Sequence, residues 1–419
     1  MLTERIAYLC GEYPRTTDTF IQREVASLRS AGKHVRTISI RRPAAREQLQ
    51  TQGSKPQSHD TYYVLPAGPW RLAKAHARTL ARSPRRYLRA LRLALSVRSP
   101  GLRALAYQLF YFAEAAIVAD VMHDEGLAHL HNHAPDASGY VAMIAAELGG
   151  FSYSMTLHGH GILSEPGRWR LREKLERALF TVCVSWHARS QAMLWSPQEV
   201  WERLHVIHCG VDPHPLALRE HCSTGSRLLF VGRLDHLKGL PLILDALERI
   251  RASHADIQLD IVGDGPERAA LEARVRKRSL ESCVQFHGYL DQEAIQALMN
   301  NADALVMASF SEGIPVTLME AMNVGLPVVA PRITGIPELV HEDSSGLLFD
   351  PANVEQLTAC IIRLLDDPGL RTRLAQKGKQ VVEQEFDLTT ETRRLVQLMH
   401  GRLGGAAMPI RPDSEAPSA

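Results

Sequence analysis

The sequence predicts an α/β protein made of two doubly wound domains, and three observations carry that expectation. At 419 residues the chain is longer than one ordinary hydrophobic core supports. Short apolar runs alternate with helical stretches through both halves, the pattern of right-handed parallel βαβ units. Between the halves, residues 213–226 collect Pro213, Pro215, Ser223, Gly225 and Ser226, the composition of a linker. A content of 45% hydrophobic and 22% charged residues is that of a globular protein. The formal net charge of +2 gives no whole-chain argument for nucleic acid, so any electrostatic signal has to be local.

In chain order, Ile6–Cys10 reads as the first strand, Thr19–Ala31 as a helix stopped by Gly32, and His34–Ile40 as the next strand. Leu127–His131, Tyr153–Leu157, Thr181–Val184 and Val206-Ile207 follow as strands, with helices near Ala137–Leu148 and Arg168–Ala178. A second series starts at Leu228–Val231 and continues through Leu259–Val262, Val284–Phe286, Ala304–Met307, Val328-Val329 and Leu347–Phe349. The expected division is a first domain over 1–212, the linker, and a second domain over 227–385. A helix over 386–403 would cross back to the first domain, and a disordered tail would occupy 404–419.

No secretory leader is expected, because the apolar run after Arg5 is too short. The segment Ala104–Met122 contains Gln108, Glu114 and Asp120, which favours a buried or amphipathic helix over a membrane span. Six scattered cysteines without a C-x-x-C pair suit a reduced, cytoplasmic protein. Residues 61–113 contain no Asp or Glu, while Arg and Lys alternate with Leu and Ala at helical spacing. That pattern is a basic amphipathic region of one or two helices: a solvated face, or a dock for an anionic membrane at the inner face of the plasma membrane. No stacking aromatics accompany the charge, which argues against nucleic acid.

In open α/β sheets ligands bind beyond the carboxyl ends of the strands. After Leu228–Val231 come Gly232-Arg233-Leu234 and Lys238-Gly239, a guanidinium and an ammonium beside a helix start, suited to phosphate. After Leu259–Val262 comes Gly263-Asp264-Gly265-Pro266-Glu267, a tight turn that lets a ligand approach the backbone. After Ala304–Met307 comes Ser309-Phe310-Ser311-Glu312-Gly313-Ile314-Pro315-Val316-Thr317-Leu318-Met319-Glu320. Its two glutamates can accept hydrogen bonds from vicinal sugar hydroxyls, and the helix start offers free amides.

Taken in order, Phe230–Leu234 with Lys238-Gly239, Gly263–Glu267, Glu312 with Glu320, Gly335-Ile336-Pro337-Glu338-Leu339 and Gly346–Phe349 resemble glycosyltransferase family 4 across the second domain. In the first half, Tyr13-Pro14, Thr17, Thr19-Phe20-Ile21 and Glu24, then Leu130-His131 with His133, then Thr156 with His158-Gly159, resemble bacterial exopolysaccharide (colanic-acid-type) glycosyltransferases. That branch often has His-Phe-Ala where this chain has His133-Ala134-Pro135. The resemblance implies a GT-B fold with an interdomain cleft and a retaining hexosyltransferase. The donor would be a nucleotide diphosphate sugar, UDP- or GDP-linked, and the acceptor a glycan or lipid-linked oligosaccharide. It implies that Arg233 and Lys238 neutralise the diphosphate, that Glu320 holds the ribose, and that Glu312 and His158 contact the transferred sugar. The amides of Gly313, Ile314, Pro315–Val316 and Thr317 would border the phosphate, Gly263 and Gly288 the base, and Thr17, Thr19 and His133 the acceptor side.

His129, His131, His133, His158 and His160 raise the question of a metal. Strand residues face alternately up and down, and on this reading one strand does not aim all three of its histidines at one ion. No Asp-x-Asp pair is present. The expectation is therefore no metal and no resident cofactor, with Arg233 and Lys238 as the counter-charge. Two other classes share the architecture: a sugar-nucleotide epimerase or phosphorylase, and a non-catalytic scaffold subunit.

Overall fold

The computed structural model describes residues 5–15, 18–43, 60–159, 161–213 and 226–412. Thr17, His160, most of the expected linker and residues 413–419 lie outside the described residues. Two compact units emerge, one formed by residues 1–208 with 389–419, the other by 209–388.

Unit 1 contains β1 (Arg5–Glu12), α1 (Thr19–Ser30), β2 (His34–Arg41), β3 (Tyr62–Tyr63), α2 (Pro69–Arg82), α3 (Pro84–Ser96) and α4 (Leu102–Asp124). It continues with β4 (His129–His133), α5 (Ala137–Gly149), β5 (Ser152–Leu157), α6 (Leu171–Arg177), β6 (Thr181–Cys183), α7 (Trp186–Leu194) and β7 (Leu204–Val206). The seven strands form one parallel sheet in the order β3-β2-β1-β4-β5-β6-β7. The order reverses between β1 and β4, so their carboxyl ends form the crevice where such sheets take ligands.

Period-2 alternation divides β1 between two cores. Ala7 and Leu9 face a layer built from α2, α3, α4 and α5, while Ile6, Tyr8 and Cys10 face α1. The basic region expected as one or two helices forms two, α2 and α3, and the apolar segment around Ala104–Met122 forms α4. Pro69 and Pro84 each open a helix, and Ser83 caps the second by accepting from the Arg86 amide. The apolar helix α4 has the length and composition to cross a membrane, but more than half of that window is buried in unit 1, including Ala115–Ala119.

Beyond residue 388 the chain returns to unit 1 as a helix over Leu388–Leu403, placing Leu395, Leu398 and Met399 against Tyr8, Val25 and Phe180. The tail expected to be disordered is folded over 404–412. Ile410 accepts from the Val206 amide at 2.7 Å, and the Pro409 carbonyl lies 2.7 Å from His205 Nδ1. Arg411 reaches Glu391, which is buried and also accepts from Arg394 and the His208 amide. Composition alone missed this docking because Met408, Ile410 and Arg411 find partners far away in sequence.

Unit 2 holds a six-stranded parallel sheet in the order β10-β9-β8-β11-β12-β13. The strands are β8 (Arg227–Val231), β9 (Gln258–Val262), β10 (Val284–Gly288), β11 (Ala304–Val306), β12 (Val328–Pro331) and β13 (Leu347–Phe349). Leu228, Phe230 and Ile261 pack on one face, and Leu229, Val262 and Leu305 on the other. Here the order reverses between β8 and β11, the two strands that precede Arg233 and Glu312.

Candidate active site

In unit 2 the loops after β8, β9 and β11 are stitched together backbone to backbone. The Gly232 amide donates to Val262 O at 3.0 Å, Leu234 N to Asp264 O at 3.0 Å, and Gly263 N to Gly288 O at 2.8 Å. Phe310 N donates to Leu237 O at 2.8 Å, tying the loop after β11 to the one carrying Lys238. Glycine permits these approaches. A Cβ on Gly263, whose φ is 124°, would lie 2.0 Å from the Gly232 carbonyl oxygen, and one on Gly239 (φ 63°) would lie 2.0 Å from Ala308 O. Gly263→Ala is expected to destabilise unit 2 by about 3 kcal/mol or to open this loop and weaken nucleotide binding. Denaturant unfolding and calorimetry check it: a parent-like midpoint together with a parent-like Kd would show that the close approach does not matter.

This stitching brings Lys238 Nζ to 2.6 Å from Glu312 Oε1. Both side chains are largely buried, at 24% and 12% exposure. Arg233 stays half exposed, its Nε 3.7 Å from Asp235 Oδ2. The helix over Val316–Asn323 begins after Pro315 with no side-chain cap hydrogen bond on its first amides. Ile314 is buried beneath it. Glu320, on the same helix, accepts from Gln292 Nε2 at 3.3 Å. Gln292, which opens the helix Gln292–Asn301, received no role from the sequence. Arg268 is another such residue: a Cβ on Gly288 would lie 3.2 Å from its guanidinium, which also reaches Asp264 and Glu272. The motifs around Arg233 and Lys238, Gly263–Glu267 and Glu312 with Glu320 thus gather at the carboxyl ends of β8, β9 and β11, with cations, carboxylates and a helix N-terminus.

In unit 1 the expectation about the histidines needs correction. His129, His131 and His133 are two residues apart, and positions i, i+2 and i+4 share one face of a strand. They line the face occupied by Tyr8 and Phe180. The register of β4 on β5 places hydroxyls beside them: both nitrogens of His129 lie 2.8 Å from Ser152 and Ser154 Oγ, and those of His131 lie 2.7 Å from Ser154 Oγ and 2.8 Å from Thr156 Oγ1. Glu24, His131 and His133 have donor atoms within 4.8 Å of one another, near enough for a cation. Both nitrogens of His131 lie at hydrogen-bond distance from hydroxyls, so a cation there would have to displace one of them.

The outer end of this histidine row is polar. Tyr8 Oη donates to Glu24 Oε1 at 2.6 Å, Glu24 Oε1 lies 3.2 Å from His133 Nε2, and His133 Nδ1 lies 2.9 Å from His158 Nε2. His158 is half-buried and packs on Phe20, with ring centroids 4.7 Å apart. Burial holds His158 well below the ordinary imidazole range, with His133 adding to the effect, so its ring is neutral at pH 7. Thr19 opens α1 one residue before Phe20. The loop behind His133 holds Ala134 in the left-handed region at φ 49°. It is braced by Lys174, which is fully buried, donates to Pro135 O at 2.7 Å and Asp136 O at 2.6 Å, and sits over the Tyr140 ring. Burial pushes the Lys174 ammonium down to about 7. Glu24 stood within a recognisable motif but received no role, since nothing local shows a glutamate on α1 meeting a histidine on β4.

Residues 221–381 match the family described as Glycosyl transferases group 1. A 2-deoxystreptamine glucosyltransferase of Streptomyces kanamyceticus is 34% identical over 271 residues, covering 58% of this chain and 69% of that protein. The chain belongs to the group 1 glycosyltransferases. Amylovoran biosynthesis glycosyltransferase AmsK of Erwinia amylovora is 32% identical over 47% of this chain and 51% of its own length, so the match spans about half of that relative. A putative colanic acid biosynthesis glycosyltransferase, WcaL of Salmonella typhimurium, is 25% identical over 94% of this chain and 99% of its length. Among solved structures, sucrose-phosphate synthase from Thermosynechococcus elongatus superposes with a TM-score of 0.73 at 20% identity, covering 96% and 100% of the two chains. Anabaena HepE in complex with UDP gives 0.69 at 18% identity, covering 94% and 99%. At these identities the structural likeness speaks for the fold, that of the GT-B glycosyltransferases. The relatives by sequence include exopolysaccharide-type glycosyltransferases.

Proposed function

We propose that this glycosyltransferase is a retaining, metal-independent hexosyltransferase. It would move a sugar from a UDP- or GDP-linked donor to a glycan or lipid-linked oligosaccharide in exopolysaccharide, lipopolysaccharide or glycolipid biosynthesis. The observation that carries this reading is the Lys238–Glu312 pair beside Arg233 at the β8/β11 crevice, next to an uncapped helix start. Arg233, Lys238 and the amides near Val316 and Thr317 answer a diphosphate, and Glu320 answers ribose hydroxyls. Glu312, freed from Lys238 when phosphate takes over the ammonium, is available to the sugar hydroxyls, and His158 is assigned to the same sugar.

In the proposed reaction the bond from the anomeric carbon to the phosphate oxygen breaks as the acceptor oxygen bonds to that carbon from the same face. The acceptor proton passes to the departing phosphate. Charge grows on the leaving oxygen, and that charge is what Arg233 and Lys238 stabilise. With two cations in place and no Asp-x-Asp pair in the sequence, a divalent ion is not required.

The test is nucleoside diphosphate release from a panel of nucleotide sugars in EDTA, with and without lipid-linked acceptor extract. One donor should support release without metal, and Arg233→Met and Glu320→Gln should slow it at least a hundredfold while the fold stays intact. If activity appears only on adding Mg²⁺ or Mn²⁺, the metal-independent mechanism is wrong. If both variants transfer at parental rates, the assigned site is wrong.

A further inference from the structure

We infer that the outer surface of α2, α3 and the first turns of α4 binds an anionic lipid bilayer. Helices of a globular protein usually turn their polar stripe to solvent. These do not. α2 buries Ala75 and Thr79 and turns Trp70, Ala73, Lys74, Ala77 and Leu80 outward, a run at i, i+3, i+4, i+7 and i+10. α3 buries Ala90, Leu93 and Ala94 and turns Arg85, Arg86, Leu88, Arg89, Arg92 and Leu95 outward, two leucines among four arginines. α4 leaves Leu102 86% and Phe110 66% exposed before it becomes buried from Phe112 onward. Of the thirteen exposed large hydrophobic residues among those described, eight lie between Trp70 and Phe110. That concentration exceeds what scattered surface leucines explain. Because α2 and α3 both pack on α4, and α3 also on α5, their outward stripes belong to one layer of unit 1.

Charge selects the occupant. Arg78 and Arg82 are held by Asp120 and Asp124, and Arg89 by Glu147. Lys74, Arg85, Arg92 and Arg98 are exposed and have no carboxylate partner among the described residues. They sit between the apolar groups rather than in a separate patch. Lysine and arginine can lay their stems along a hydrocarbon boundary and keep their heads at the phosphates, while Trp70 and Tyr107 suit the interfacial layer. A nucleic acid would meet the cations but offer nothing to Leu88 and Leu95. An anionic bilayer answers both.

The experiment is flotation of the purified full chain with vesicles of phosphatidylcholine alone and with about a third phosphatidylglycerol. Binding should require phosphatidylglycerol and fall with added salt. The variant Lys74→Gln/Arg85→Gln/Arg92→Gln should lower the partition coefficient about a hundredfold, at roughly fivefold per cation. Trp70→Ser/Leu88→Ser/Phe110→Ser should abolish binding with no loss of thermal stability, since all three side chains are exposed. No recruitment of the parent to anionic vesicles overturns the inference, as does parent-like binding by both variants. A parent dimer that the serine variant dissociates, without vesicle binding, assigns the face to a second copy instead and equally overturns it.

Discussion

Lys238→Met is expected to turn over at least a hundredfold more slowly than the parent and to bind nucleotide more weakly. Two effects act in the same direction. The ammonium is lost as a counter-charge for the diphosphate, the kind of group whose removal costs about two to three orders of magnitude in rate. Glu312, mostly buried and 2.6 Å from the ammonium in the parent, is also left without its partner where an anion must arrive. The double variant Lys238→Met/Glu312→Gln should therefore recover part of the nucleotide affinity lost by Lys238→Met alone, because the repulsion is gone. It should not recover turnover. Calorimetry with nucleoside diphosphates and initial rates complete the double-mutant cycle. Additive losses in affinity would mean that the pair is not coupled. A Lys238→Met enzyme within threefold of the parent would remove Lys238 from the reaction.

The second large effect is on stability. Burial pushes His129 and His208 down to about 3 and His205 to about 4, against about 6.5 in an unfolded chain. All three belong to unit 1. Between those values the unfolded chain takes up protons that the folded unit refuses. The stability these histidines contribute is therefore complete above pH 6.5 and is lost as the pH falls toward the folded values. Each histidine removes about 1.4 kcal/mol per pH unit, so by pH 5 these three together should cost unit 1 about 6 kcal/mol. Glu114 offsets part of this, because burial pushes it up to about 7 and it takes up a proton in the folded unit over the same range. Hydrogen exchange at pH 7.5 and 5, corrected for intrinsic rates, should show protection falling in β4–β7. His129→Gln should flatten the dependence by about one proton. Equal protection at both pH values would contradict the assignment of neutral, buried rings.

Much of the fold was legible because strand alternation is local. Leu228–Val231 declares both of its faces within four residues, and the same holds for Ile6–Cys10. The gathering of the loops that carry Arg233, Gly263 and Glu312 was legible for a related reason: each follows a strand directly, and parallel strands deliver their following loops to one edge. What could not be read involves pairs chosen by register. Glu24 meets His133 across more than a hundred residues, and Ser154 serves two histidines only because β5 pairs with β4 in one alignment. The reading of the histidines failed on simple geometry, since a spacing of two puts them on the same side. The docking of Met408–Arg411 failed on composition, because a few well-placed anchors outweigh a Gly- and Ala-rich background.

The return of residues 389–412 to unit 1 also fixes an order of events during synthesis. On the ribosome, the first sheet is finished while its covering helix does not yet exist, leaving Tyr8, Val25 and Phe180 without the side chains that later shield them. Unit 2 is contiguous in the chain and can close as soon as residue 388 has emerged. The domain translated second is therefore the first able to mature. A nascent chain halted near residue 388 would present a complete unit 2 and an unfinished unit 1, exposed to chaperones until the helix after residue 388 arrives.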